Sequence, residues 1–167
     1  MFENELTNFK RNKEQFPGIR DELLHMREED QQMIEIEKAK KMEERKWGEN
    51  HTKHLVRIKE IVNQIGWPTV SKVGEDGSDS AWLIVQHADE DIEFQKSCLA
   101  LMQGEKEGEV LKENIAHLID RIRVNNNEPT LYGTQSINGE LLPIYDIKNL
   151  AKRREGMGLS PDPNKDE

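Results

Sequence analysis

The most constraining feature of the sequence is the stretch of residues 81–95, which reads AWLIVQHADEDIEFQ. It begins with an apolar run, residues 81–85, and a run of that length has to be buried. The stretch then turns polar at once, and His87 stands two residues past the end of the run. We therefore expect His87 to lie at the edge of the hydrophobic core, where burial and titratable chemistry meet.

The composition argues against several classes of protein. Hydrophobic residues make up 34% of the chain and charged residues also 34%, which suits one modest core with a charged helical surface. The net charge of -9 argues against a nucleic-acid-binding surface, which needs a basic patch. A single cysteine, Cys98, excludes a disulfide framework and a thiolate metal cluster, and it indicates a reducing compartment, most simply the cytoplasm. The charged N-terminus lacks the apolar segment of a signal peptide, and no run approaches the ~20 apolar residues of a membrane span.

Apolar residues recur at helical spacing over most of the chain. The pattern predicts a long helix over residues 19–47 and, after a break at Gly48, a second helix that stops at Gly66. Residues 69–79 contain glycines and charged residues and are predicted to form a loop. Cys98 lies in a later helical apolar stretch, so we expect it in the core.

Near the C-terminus, short β-prone runs flank Asn138-Gly139, which is the strongest short signal for a β-hairpin. The sequence therefore predicts a mainly α-helical single domain, a bundle of about five or six helices with a small C-terminal β-hairpin. Residues 1–17 are predicted to be an N-terminal arm or short docking helix, and residues 18–159 the helical domain. Residues 160–167 are predicted to be a disordered tail.

Two motifs of this chain resemble those of a bacterial family of small proteins of unknown function. That family is marked by W-L-hydrophobic-x-Q-H-A-D and L-Y-G-T-Q, which stand here at residues 82–89 and 131–135. The likeness spans about residues 20–160, and its shorter matches include Asp30-Gln31, Gly66-Trp67-Pro68, Asp120-Arg121 and Arg153-Arg154. The resemblance implies no particular reaction. It indicates where in the chain a site would lie, but not which chemistry the site performs.

His87 is the first candidate for a catalytic residue, because an imidazole can act as general base, nucleophile or metal ligand. If His87 and Asp91 lie on one helix, the carboxylate four residues on shares the face of the imidazole and holds its ring in one tautomer. The alternative is a helix-terminal histidine that only hydrogen-bonds a carboxylate or the backbone.

Asp30 is the second candidate, since it falls inside an apolar helical stripe and a buried carboxylate is costly unless it is paired. Arg121 is an available partner, and Gln31 is placed to point into the same cavity or into water. Asp30 is then half of a structural ion pair, or a catalytic acid or base, or a group that orients one. Arg121 in turn binds an anionic substrate group, or closes a salt bridge with Asp30 or Asp91.

Residues 132–135 are the next candidate. Gly133 permits a tight approach of the backbone, and Tyr132, Thr134 and Gln135 supply neutral hydrogen-bonding groups that suit a planar, polar ligand such as a nucleobase. The alternative is an ordinary turn that leads into the hairpin.

No cofactor is predicted. A divalent metal at His87 and Asp91, with Asp89 and His117 as further ligands, is the less favoured alternative, because the chain has no H-E-x-x-H motif and no cysteine pair. Phosphate-binding glycine loops are also absent from the sequence.

Together these segments predict a polar pocket beside the helix that carries His87. The expected function is a small-molecule enzyme, a hydrolase or transferase that acts on a polar or nucleotide-like substrate. The alternative is a non-catalytic module that sequesters a ligand or binds a protein partner as immunity proteins do; a homo-oligomer is also possible, and neither nucleic acid nor membrane is expected as a partner. The predicted catalytic residues are His87, Asp91, Asp30 and Arg121, and the predicted substrate-binding residues are Gln31, Trp82, Gln86, Asp89, Tyr132, Thr134 and Gln135.

Overall fold

The structure is a computed structural model that describes residues 14–39 and 48–165. In this part of the chain there are six α-helices and one two-stranded antiparallel hairpin, which confirms the predicted fold class. The elements are α1 (Pro17–Ala39), α2 (Gly48–Ile65), α3 (Val70–Gln86), α4 (Ile92–Gly104), α5 (Lys112–Asn125), β1 (Ser136–Ile137), β2 (Glu140–Leu141) and α6 (Leu150–Gly156). Short 3-10 turns at Ile147–Asn149 and Pro163–Lys165 flank α6.

The first two helices differ from their predicted bounds. Helix α1 begins at Pro17, where the missing N–H and fixed φ of proline suit the first turn of a helix. Gly48 was predicted to break the helical pattern, but it is the first residue of α2. Residues 40–47, predicted as the end of the first helix, and residues 1–13 of the predicted arm lie outside the described residues.

The hydrophobic core is assembled from all of the first five helices. Leu23, Ile58, Val85, Cys98 and Leu118 come from α1 to α5 in turn, and each is 0% exposed. The prediction that Cys98 is a core residue is confirmed. Burial, followed by the charge of a nearby carboxylate, raises the pKa of the Cys98 thiol to about 12, so the side chain remains a neutral thiol.

The prediction of a loop over residues 69–79 is wrong, because most of this segment belongs to α3. Gly74 alone departs from helical geometry, with φ 77° and ψ 167°, and forms a kink inside α3. A Cβ atom at this position would lie 3.1 Å from Asp76 Oδ1 and 3.3 Å from Arg20 Nε. The glycines therefore mark a bend and a close approach of α3 to α1, rather than the absence of helix.

Gly74→Ala is expected to destabilise the fold by about 1–3 kcal/mol, because this backbone conformation is essentially restricted to glycine. The matched control is Gly104→Ala at the end of α4, where a Cβ atom meets nothing within 4 Å. The control is expected to be neutral or slightly stabilising. Urea denaturation measures both variants, and equal midpoints for the two would contradict the assigned kink.

The C-terminal hairpin is confirmed. Strand β1 pairs with β2 in antiparallel register, and Asn138 and Gly139 between them both have positive φ, 53° and 81°. Two positive φ angles define the turn type that Asn-Gly favours, since it matches the twist of the two strands.

The C-terminal segment, for which disorder was predicted, contacts the helical domain at Ser160. The carbonyl of Ser160 accepts a 2.5 Å hydrogen bond from Nε of Arg154. Arg154 is 0% exposed. Pro163 then begins a 3-10 turn. The sequence alone did not suggest these contacts, because they depend on a buried arginine of α6.

None of the helices in the described ranges combines the length and the apolar character that crossing a bilayer requires.

Candidate functional site

Helix α3 ends at a turn that carries the polar half of the opening motif. His87 is the residue after the last helical one, and its N–H still donates to the carbonyl of Leu83 at 3.1 Å. The buried Gln95 of α4 donates from Nε2 to the carbonyls of Val85 and Gln86, at 3.1 and 3.2 Å. These bonds satisfy carbonyls that the end of a helix leaves without partners, and so they fix the position of the turn.

His87 and Asp91 do not lie on one helix, so the shared helix face that depended on that condition does not form; α3 ends at Gln86, and Asp91 precedes the first residue of α4. Asp91 instead caps α4, where Oδ1 accepts a 2.9 Å hydrogen bond from the N–H of Phe94. Its other oxygen, Oδ2, accepts a 2.6 Å bond from the ammonium of Lys59. The bond from Lys59 and the cap lower the pKa of Asp91. Asp91 therefore caps α4 and pairs with Lys59.

Asp30 is the carboxylate that holds His87. The distance from His87 Nδ1 to Asp30 Oδ2 is 2.8 Å, and only 1% of the Asp30 side chain is exposed, against 20% for His87. Gln31 donates to the same oxygen of Asp30 at 3.2 Å. The prediction that Asp30 is buried and paired is confirmed, but its partner is the histidine of α3 and not Arg121.

A second histidine–carboxylate pair lies beside the first. Nε2 of His54, on α2, is 3.0 Å from Oε2 of Glu29, on α1, and this hydrogen bond lowers the pKa of Glu29. Both His54 and His87 border a cavity of about 10 Å³, which is lined by Asp30, His54, Ile84, His87 and Ala88. That volume corresponds to about one water molecule.

Sequence reasoning missed His54, although a signal was present. His54 lies four residues before Ile58 and seven before Ile61, and both isoleucines are 0% exposed. This spacing places His54 on the buried face of α2, where the residue is 3% exposed. Helical spacing could therefore have identified it as a buried titratable residue, in the same way that it identified Asp30.

Arg121 binds the other side of the turn. Its guanidinium donates to both carboxylate oxygens of Asp89, from Nε at 2.8 Å and from Nη2. Nη1 donates to Oε1 of Gln135 at 3.3 Å, and Asn125 donates to Oδ1 of Asp89 at 2.8 Å. The predicted salt bridge from Arg121 to Asp30 or Asp91 is therefore wrong, and the guanidinium is engaged by Asp89 and Gln135.

Arg121→Met is expected to raise the pKa of Asp89. Burial raises this pKa, but the hydrogen bonds from Arg121 and Asn125 outweigh burial and leave it below its ordinary value. Ionised Asp89 therefore stabilises the fold above the pKa of the unfolded chain, about 3.9. This contribution is lost as the pH falls through the lower pKa of the folded state. Carboxyl-carbon NMR titration measures the shift, with Asp91 as the internal control; an unchanged Asp89 pKa in Arg121→Met would contradict the pairing.

Asp120, the residue before Arg121, holds the motif of residues 131–135 in place through hydrogen bonds. It is 0% exposed, and its carboxylate accepts hydrogen bonds from the backbone N–H groups of Leu131, Tyr132 and Thr134, and from the hydroxyl of Thr134. These bonds span 2.6 to 3.2 Å. The backbone of residues 131–134 thus curves around the Asp120 carboxylate. This structural role was not predicted from the sequence.

The space next to Gly133 is occupied by the protein. A Cβ atom there would lie 2.9 Å from Cδ1 of Ile144 and 3.4 Å from Pro163. The predicted tight approach is therefore real, but the approaching groups are Ile144 and Pro163. Burial and the charge of Asp120 raise the pKa of the Tyr132 phenol, which keeps it protonated.

Two further predicted residues, Trp82 and Gln86, have buried polar atoms on α3. The ring of Trp82 meets the ring of His117 edge-on at 5.7 Å between centroids. Nε1 of Trp82 and Oε1 of Gln86 are both buried and have no hydrogen-bond partner among the described residues. These atoms are a donor and an acceptor four residues apart on the same helix face.

A larger cavity, of about 620 Å³, lies at the other end of α3 beside Gly74. Its arginines and aspartates are paired with one another: Arg20 donates to both oxygens of Asp76 at 2.9 and 2.5 Å, and Arg27 donates to Asp79 at 2.5 Å. Because its arginines and aspartates neutralise one another, we assign no site to this groove.

No group of three or more His, Cys, Asp or Glu side chains within the described ranges is arranged to hold a metal ion.

The structure is a helical protein in which a buried aspartate contacts a partly exposed histidine at the end of α3. A comparison with known protein families matches residues 17–164 to a family described as "Family of unknown function (DUF6624)". The chain belongs to that family, which confirms the resemblance to a family of unknown function. Searches of curated proteins and of solved structures found no match. Membership covers every described helix and assigns no reaction.

Proposed function

We propose that this protein is a small-molecule enzyme, a hydrolase or transferase that acts on a polar or nucleotide-like substrate. His87 is its general base or nucleophile, and Asp30 orients the imidazole. The observation that supports this proposal is the 2.8 Å contact from His87 Nδ1 to a carboxylate that is almost fully buried.

The proposed chemistry requires the ring hydrogen of His87 to lie on Nδ1, between the ring and Asp30. An ionised Asp30 accepts the hydrogen on Nδ1, so the lone pair of neutral His87 is on Nε2, the nitrogen that abstracts a proton or attacks an electrophile. The same carboxylate stabilises the imidazolium that forms when Nε2 takes up a proton. A side chain that is 20% exposed can meet a substrate, whereas Asp30 cannot.

The other predicted residues receive narrower roles. Arg121 holds the turn of residues 87–91 through Asp89, so it acts as a positioning residue unless a substrate anion displaces that carboxylate. Substrate contacts are proposed for the remaining predicted residues, Gln31, Trp82, Gln86, Asp89, Tyr132, Thr134 and Gln135. We propose that no cofactor is needed and that the protein works in the cytoplasm.

The second candidate is a non-catalytic module that sequesters a small polar ligand or binds a protein partner. Two observations favour it: Arg121 is fully engaged by Asp89 and Gln135, and the cavity beside His87 has the volume of about one water. In that case the Asp30–His87 pair stabilises the fold rather than catalysing a reaction.

One experiment separates these candidates. The full chain is assayed with p-nitrophenyl acetate, p-nitrophenyl phosphate and bis(p-nitrophenyl) phosphate, and its thermal stability is measured with and without nucleotides. A ligand that binds only the folded state raises the melting temperature. Turnover that depends on His87 supports the enzyme; stabilisation by a ligand without turnover of any probe supports the binding module and contradicts the enzyme.

A further inference from the structure

Two histidine–carboxylate pairs join three helices, and the histidines of both pairs border one small cavity. The pair Glu29–His54 joins α1 to α2, and the pair Asp30–His87 joins α1 to α3. Their carboxylates are adjacent in the sequence, so α1 supplies the anchor for both imidazole rings. The cavity that both histidines border has a volume of about 10 Å³.

One ring nitrogen of His54 is buried and has no hydrogen-bond partner among the described residues. The side chain is 4% exposed, Nε2 is bound to Glu29, and Nδ1 is buried with no hydrogen-bond partner among the described residues. Glu29 is held as a carboxylate by its lowered pKa, so the hydrogen of a neutral His54 ring lies on Nε2. Nδ1 is then a buried acceptor, and it requires a donor that the described protein groups do not supply.

The size of the cavity limits what that donor can be. About 10 Å³ is the space that one water molecule occupies, and a buried water needs two to four polar partners. His54 Nδ1 is available as one such partner, and Asp30 and His87 are among the residues that line the same cavity. An alcohol or an amine with a carbon substituent would not fit.

We propose that this cavity holds one water molecule, which donates a hydrogen bond to His54 Nδ1 and is the nucleophile of a hydrolysis reaction. The proposal rests on the proposed function, in which His87 is the base, and it selects hydrolysis over transfer to a larger acceptor. His54 is thereby a residue of the site that binds the attacking water.

The reactants of this hydrolysis step are the water and an ester. The water oxygen forms a bond to the electrophilic carbon or phosphorus of the ester, and one of its O–H bonds breaks as the proton passes to His87 Nε2. The bond to the leaving oxygen breaks with its electron pair, and His87 returns the proton to that oxygen. His54 accepts a hydrogen bond from the second O–H throughout and takes no proton.

Matched variants test the water site directly. His54→Asn places an amide near the position of Nδ1 and loses the contact with Glu29, whereas His54→Gln reaches Glu29 but has no group at Nδ1. The control is His25→Gln, since His25 contacts the same Glu29 at 3.5 Å but is 70% exposed. Crystal structures of the full chain are expected to contain the water in the native protein, in His54→Asn and in His25→Gln, and to lack it in His54→Gln. Nitrogen-15 NMR is expected to find Nδ1 of His54 unprotonated.

An empty cavity in the native protein, or a protonated Nδ1, would overturn the inference. Turnover of the p-nitrophenyl ester that the native protein hydrolyses fastest then separates the two proposals. His54→Gln is expected to lower kcat by about 10²-fold with KM unchanged, and His25→Gln to leave both unchanged. If His87→Asn, which removes Nε2, abolishes turnover while the cavity is empty, the proposed water site is wrong and the proposed function stands. If the water is present and turnover survives without His87, the proposed function fails and the water is structural.

Discussion

Asp120→Asn is expected to lower the free energy of unfolding by about 2–5 kcal/mol. The carboxylate is 0% exposed and accepts hydrogen bonds from the backbone N–H groups of Leu131, Tyr132 and Thr134. An asparagine has one acceptor oxygen, and its amide would direct N–H groups at these donors. At least one buried N–H then loses its partner, and unpaired buried groups carry the full cost of desolvation.

Urea denaturation of Asp120→Asn measures this effect, and hydrogen exchange locates it. The amides of residues 131–134 are expected to exchange faster than in the native protein, while those of α1 and α3 change only with the global stability. The matched control is Asp21→Asn, because the Asp21 side chain is 75% exposed. A change within about 0.5 kcal/mol for Asp120→Asn, as expected for a surface site, would show that the assigned hydrogen bonds do not hold this loop.

His87→Asn is expected to lower kcat/KM by about 10²–10⁴-fold with little loss of stability. The asparagine amide lies near the position of Nδ1 and can still donate to Asp30, but there is no atom at Nε2. His87→Ala is a poorer test, because it leaves a buried carboxylate without its partner, and breaking such a pair costs about 3–5 kcal/mol.

The control for His87→Asn is His25→Asn, which removes an exposed imidazole. Asp30→Asn completes the series: it keeps the shape of the carboxylate and removes the charge that stabilises the imidazolium, so turnover is expected to fall although Nε2 remains. If His87→Asn folds normally and keeps native turnover and ligand-induced stabilisation, His87 has no catalytic role.

Local signals in the sequence were sufficient for the elements that depend on local chemistry. Asn138-Gly139 predicted the hairpin because both positions require positive φ, and they have it. The helical stripe of α1 predicted that Asp30 is buried, and the residue is 2% exposed.

Partners across the fold could not be predicted in the same way. Asp30 needed a partner, and several histidines and arginines in the chain met that requirement equally well. Only the packing of α1 against α3 selects His87, and only the end of α3 at Gln86 separates His87 from Asp91. Gly74 misled the prediction because a glycine in a kinked helix and a glycine in a loop have the same local signature.

The candidate site contains one histidine that local sequence signals identified and one that they did not. His87 stood out because a titratable residue followed an apolar run, whereas His54 was not predicted because its significance depends on the ring of His87 and the cavity that both histidines border. The burial of a polar residue can thus be inferred from periodicity, but its chemistry is defined by residues distant in sequence.

Nitrogen-15 NMR of the His87 ring tests the central claim most directly, because it requires no substrate. If Asp30 orients the imidazole, neutral His87 has its hydrogen on Nδ1 and none on Nε2, and Asp30→Asn weakens that preference. A neutral ring with its hydrogen on Nε2, or a tautomer that does not respond to Asp30→Asn, would contradict the account.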